Sequence, residues 1–262
     1  MQTATDVYRV LDGIAPFSDA AHWDAVGIQV GDPSRSVEVV GVCHEVTATV
    51  VAEAVAAGVD VLVAYHPVLF APTQSFVAGP TPTGRALALA TAGITLIVTH
   101  TAFDVAADGT ADALAISLGL GDVEPFGFVE PAADPPAPAI GRIGIVDEQP
   151  LAQFAERVGD RLQSPAIRVA GSRAGLVARV AVVPGSGSDF VPAALGAQAD
   201  VLVTGDVSHH RAVSAVDQGL AVIDAGHIPT ERPGMVALRA ALETALGADL
   251  VDLTTVEADP WA

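Results

Sequence analysis

The chain has 262 residues, 31 acidic and 12 basic side chains and a formal charge of −19, which excludes a nucleic acid or an anionic membrane held by charge neutralisation. Every basic residue is an arginine, so a phosphate loop that needs its lysine and a pyridoxal-phosphate Schiff base are excluded too. Cys43 is the single cysteine, which rules out an internal disulfide and a cysteine-rich zinc site.

Half of the chain is hydrophobic but only 5% is aromatic, so the expected core is built from Ala, Val and Leu. The sequence shows no charged-then-apolar leader and no run of about 18 uncharged apolar residues. A soluble, cytoplasmic protein is expected, its negative charge serving solubility.

Apolar runs alternate with helical patterns along the chain. Residues 39–43 (VVGVC) form a predicted strand and 47–58 a helix closed by Gly58; 59–66 (VDVLVAYH) is a strand, 84–93 a helix ending in Gly93, 94–100 (ITLIVTH) a strand and 110–120 a helix. This order predicts α/β architecture with mainly parallel sheets flanked by helices. The Pro/Ala-rich stretch 130–140 is the expected linker. The pattern restarts at 141–146 and continues in a helix over about 150–163. A Gly/Ser loop at 184–190 (PGSGSDF) opens a helix, where its N–H groups either hold an anion or close a tight turn.

The chain also repeats. Shifted by 140 positions, 37–63 falls on 177–203 without a gap, and ten of the 27 pairs are identical. Further on, 92–104 (AGITLIVTHTAFD) resembles 218–231 (QGLAVIDAGHIPTE); both end in His-x-x-x-acid. Two related α/β halves are expected, 1–129 and 141–231, with 232–262 as a helix and strand packing back on the first half.

Six of the seven histidines (His44, His66, His100, His209, His210 and His227) lie within or just after predicted strand ends. In open parallel sheets ligands bind beyond the carboxyl ends of the strands. Imidazole with carboxylate is a ligand set for Zn, Mn, Fe or Ni. One such histidine is ordinarily just hydrogen-bonded, and Asp104 and Glu231, each placed before a helix, would be favoured there by capping alone. The duplicated pairs His100/Asp104 and His227/Glu231 favour a metal site between the halves, at the strand ends.

Five segments in order resemble the GTP cyclohydrolase 1 type 2 homologues, also called interacting-factor-three-like dinuclear-metal-centre hexameric proteins. They are HWDAVGIQVGDP (22–33), AYHPVLF (64–70), THTAFDVAADGTADALAISLGL (99–120), ADVLVTGDVSHH (199–210) and VIDAGHIPTE (222–231). The resemblance implies one or two divalent transition metals per chain. His66 and Asp104 would bind the first metal and His227 the second, with Glu231 touching both; His100 would be a proton carrier. It also implies a homo-hexamer. The family's His-His-Pro reads Tyr65-His66-Pro67 here, so one imidazole is lost. A phenol is a poorer zinc ligand near neutral pH, its pKa being about 10; either Tyr65 binds iron or manganese as a phenolate, or His209 restores the imidazole. The family name implies opening of the imidazole ring of GTP, and hydrolysis of a nucleotide or phosphorylated small molecule is the sibling reading; the alternative is a non-catalytic metal scaffold or delivery protein.

Overall fold

The computed structural model describes residues 2–128 and 138–261. Most of the expected linker lies outside them, while Ala139 and Ile140 already belong to a strand. The described residues form two compact units: the chain up to Ala106 together with Leu238–Pro260, and Ala107–Ala237.

In the first unit the order is α1 (Ala4–Ile14), β1 (Gly27–Val30), β2 (Val40–Cys43), α2 (Ala48–Ala56), β3 (Val61–Ala64), α3 (Pro82–Ala92), β4 (Thr95–Val98) and α4 (His100–Val105). The helices start where the sequence supplies a cap. Thr3 and Asp6 make a capping box on α1, and the hydroxyls of Thr47 and Thr81 accept from the third residues of α2 and α3. Gly93 closes α3 in the left-handed conformation. Strands β2, β3 and β4 are parallel and buried at every position. Leu62, Ala64, Leu96 and Val98 pack with Val50, Val51 and Ala54 of α2 and Ala86 and Leu89 of α3. A fully buried Val or Leu contributes about 1.5–3 kcal/mol.

The second unit continues with α5 (Thr110–Leu118), β5 (Gly121–Phe128), β6 (Ala139–Pro150), α6 (Leu151–Leu162), β7 (Arg168–Ala170), β8 (Leu176–Ser186), α7 (Val191–Gly196), β9 (Val201–Gly205), α8 (His209–Asp217) and β10 (Ala221–Asp224). Helix α9 (His227–Leu246) then begins, and β11 (Val251–Asp252) adds to β2 of the first sheet in parallel. The half read as 1–129 thus gives Ala107–Phe128 to the second unit. There α5 packs with α6 and the sheet, and β5 pairs with β6. The parallel core β8–β9–β10 is covered on both faces. Val180, Val182, Val201, Val203 and Ile223 meet α5 and α6, while Ala181, Val183, Leu202 and Val222 meet α7 and α8. Antiparallel β5, β6 and β7 extend this sheet, whose order is β5-β6-β8-β9-β10-β7 against β1-β4-β3-β2-β11 in the first.

The repeat survives as register. Val40, Gly41 and Val42 pair with Val61, Leu62 and Val63; 140 residues on, Val180, Ala181 and Val182 pair with Val201, Leu202 and Val203. Each sheet carries an antiparallel strand, β1 or β7, beside its third parallel strand. Each such strand is followed by a positive-φ glycine, Gly31 or Gly171, whose absent Cβ leaves room for Thr95 or Ala221. Asp60 accepts from the N–H groups of Glu38 and Val39, and Asp200 from those of Ala178 and Arg179.

These two aspartates carry a prediction. Burial works to raise the pKa of Asp60, but the two N–H donors and Arg35 outweigh it and hold the carboxyl below its ordinary 3.8. Asp60→Asn and Asp200→Asn should each cost about 1–2 kcal/mol, which thermal unfolding resolves as a drop of a few degrees. The depressed pKa places the stabilisation by Asp60 above pH 3.8, and it is lost as pH falls through the lower folded value. The gap between wild type and Asp60→Asn should therefore close in acid.

Candidate metal centre

Both faces of the parallel strands are filled with apolar side chains, so polar groups collect where the strands stop. In the first unit β2 delivers His44, β3 delivers Tyr65 and His66, and β4 runs into α4, which begins at His100. The sequence places Asp104 before a helix; it lies inside α4, one turn beyond His100, so one helical face carries both residues. Four rings gather here: His66 lies with its centroid 4.8 Å from His44, 4.9 Å from Tyr65 and 5.2 Å from His100.

Carboxylates hold the imidazoles. Nδ1 of His66 lies 2.7 Å from Glu45, and Nδ1 of His100 lies 2.8 Å from Asp24. Burial acts to raise the pKa of Asp24, but His100 and the hydroxyl and N–H of Thr101 overcome it and keep the carboxyl below its ordinary value. Asp24 is therefore ionised near neutral pH and can only accept. Nδ1 of His100 must carry the proton of this bond. His100 also sits at φ +33°, and strain of this kind concentrates at functional sites. Tyr65 is buried, and its hydroxyl hydrogen-bonds Oδ1 of Asp104. Burial pushes the Cys43 thiol well above its usual range, which leaves it inert as a nucleophile or ligand.

The second unit repeats the device. Helix α9 begins at His227, and Glu231 lies one turn on inside it, its Oε1 3.2 Å from Nε2 of His227. Asp206, beyond β9, meets Nδ1 of His227 at 2.7 Å. Asp206 takes φ +54°, a conformation that aspartate tolerates. In the Gly/Ser loop two N–H groups go to threonine hydroxyls of neighbouring elements: that of Gly185 to Thr230 of α9 and that of Gly187 to Thr204 of β9. Gly185 makes space for the acid, since a Cβ there would stand 2.2 Å from Oε1 of Glu231.

Tyr65, His66, His100 and Asp104 are thus brought together in the first unit, and His227 and Glu231 in the second. His209 opens α8, exposed, with its ring 5.4 Å from that of His210. Asp206 was visible in the sequence as a polar residue at a strand end. Sequence reasoning did not single out the orienting carboxylates Asp24 and Glu45; Asp24 stands in the first motif and Glu45 follows a strand-end histidine, which was the available signal.

The family model for Duf34/NIF3 (NGG1p interacting factor 3) matches residues 2–260. The chain belongs to this family. A "GTP cyclohydrolase 1 type 2 homolog" of Streptomyces coelicolor is 35% identical over 271 residues, covering 100% of this chain and 94% of the relative. "NIF3-like protein 1" of Drosophila melanogaster is 27% identical, covering 99% and 88%. Among solved structures, Staphylococcus aureus protein SA1388 superimposes with a TM-score of 0.90 at 25% identity, covering 100% and 99%; TTHA1606 from Thermus thermophilus gives 0.80 at 28%, covering 96% and 98%.

Two glycines give a matched test of the packing around Glu231. Gly58 has φ +68° with open space at its Cβ position, whereas Gly185 has φ +62° with Glu231 against it. Gly58→Ala should cost about 1 kcal/mol from backbone strain. Gly185→Ala should cost distinctly more, because it also displaces a buried carboxylate. Thermal unfolding of the two variants makes the comparison, and equal losses would contradict the assigned packing.

Proposed function

We propose that this protein binds divalent transition metal, on His66 and Asp104 in the first unit and on His227 and Glu231 in the second, and uses it to hydrolyse a nucleotide or phosphorylated small molecule. The observation that carries this is the carboxylate on Nδ1 of His66 and of His227. It leaves the ligand role to Nε2 and makes each ring a more basic ligand, the arrangement usual for metal-bound histidines. The donors suit Zn, Mn, Fe or Ni. A bound metal of this class supplies Lewis acidity toward a carbonyl or phosphoryl oxygen and lowers the pKa of water. His100, its Nδ1 tied to Asp24, can take a proton at Nε2 and return it to the leaving group. Relatives named as GTP cyclohydrolase homologues make guanine nucleotides the first substrates to try.

Elemental analysis of purified protein should find about one to two transition-metal ions per chain, and His66→Ala with Glu231→Ala should hold far less. A nucleotide and phosphoester panel with the metal restored then tests for turnover. Full metal retention by the folded double variant would refute the ligand assignment. Metal binding without turnover of any substrate would favour a scaffold or delivery role.

The family resemblance also carries a homo-hexamer as a proposal. Sedimentation at moderate salt should show it, and low salt should weaken association through repulsion between chains of charge −19. A clean monomer at every salt concentration would count against it.

A further inference from the structure

We infer that His44 supplies the imidazole that this chain lacks at Tyr65, so that a transition metal in the first unit is held by His44 and His66, while Tyr65 is the positioning residue for Asp104 rather than a ligand. This rests on the metal-binding reading above and reassigns part of its ligand set.

Four observations carry it. His44 follows β2 directly, and the parallel register sets Cys43 opposite Ala64. The next residues along, His44 and Tyr65, therefore end neighbouring strands, and the N–H of His66 bonds the carbonyl of His44 at 2.9 Å. An imidazole moved from the end of β3 to the end of β2 stays on the same sheet edge. Second, His44 is only 3% exposed, and its ring stacks on His66 at a 25° interplanar angle. Ring nitrogens of the two lie within 4.8 Å of one another, a separation that small ring rotations can reduce to the span of two ligands on one ion.

Third, the turn that carries His44 is pinned. The N–H groups of His44 and Glu45 both donate to the Glu257 carboxylate, at 2.7 and 3.2 Å. Glu45 in turn holds Nδ1 of His66. One short turn thus places one imidazole and orients the other. Fourth, the Tyr65 hydroxyl is occupied with Asp104. His209, the replacement expected from sequence, lies exposed on α8 in the other unit.

The test measures affinity for Zn and, in parallel, the visible spectrum of Fe(III)-loaded protein after chelation and reloading. His44→Ala and the more conservative His44→Asn should each weaken Zn binding in the first unit by about ten- to a hundredfold, the range for disturbed metal ligation. His209→Ala should stay within about threefold. The exchange double variant His44→Leu/Tyr65→His should regain much of the affinity. Circular dichroism checks that each variant is folded. The Fe(III)-loaded wild type should lack a phenolate-to-iron charge-transfer band. If that band appears and Tyr65→Phe abolishes it, Tyr65 is the ligand and the inference is overturned; the spectrum needs no variant that might misfold. Wild-type binding unaffected by folded His44 variants would overturn it too, leaving the metal reading intact. No Zn binding by the wild type at all would instead refute the metal reading itself.

Discussion

Parallel strands buried on both faces constrain everything else in this protein. Strands β2, β3, β4 and β9 have no exposed position, so an unpaired histidine or aspartate anywhere along them would cost several kcal/mol of desolvation. Chemistry is displaced to the points where the strands end. Helices α4 and α9 start there, and each places a histidine and an acid one turn apart. The same constraint explains why Tyr65, at the end of a strand and nearly inaccessible, has its hydroxyl paired with Asp104.

The two units show how one plan is kept while its details change. Register, edge strand, close-packed glycine and aspartate clamp are all retained at offsets of about 126–140 residues. These features fix backbone geometry, and most substitutions at them would strain or uncover the strands. The residues at the strand ends are less constrained by folding, and there the units diverge. The first unit gathers His44, Tyr65, His66 and His100. The second has Asp206, His227 and Glu231 with a glycine-rich loop against the acid.

Much of the fold was legible in the sequence because βαβ periodicity and capping signals are local. The strands at 40–43, 61–64 and 95–98, and the helices between them, come directly from apolar runs, Gly58 and Gly93. Two short elements were not legible. Strand β7 spans three residues and α4 spans six, too few to show a period. β5 contains Pro125 and Gly127, which read as loop. At the centre itself, the His-x-x-x-acid pairs were visible as a duplicated spacing. Their partners were not, because Asp24 reaches His100 across 76 positions and Glu257 reaches His44 across 213. Such pairings are set by sheet order, which no single stretch of sequence encodes.

The clamp by Glu257 has a consequence in time rather than in space. The first unit is assembled from the two ends of the described chain, with β11 joining β2 and Glu257 holding the backbone of His44 and Glu45. During synthesis, the turn that places these residues emerges more than two hundred residues before the carboxylate that fixes it. The nascent protein can therefore complete its second sheet while the first still lacks a strand. The turn that carries His44 and Glu45 is therefore fixed only after Glu257 has been made.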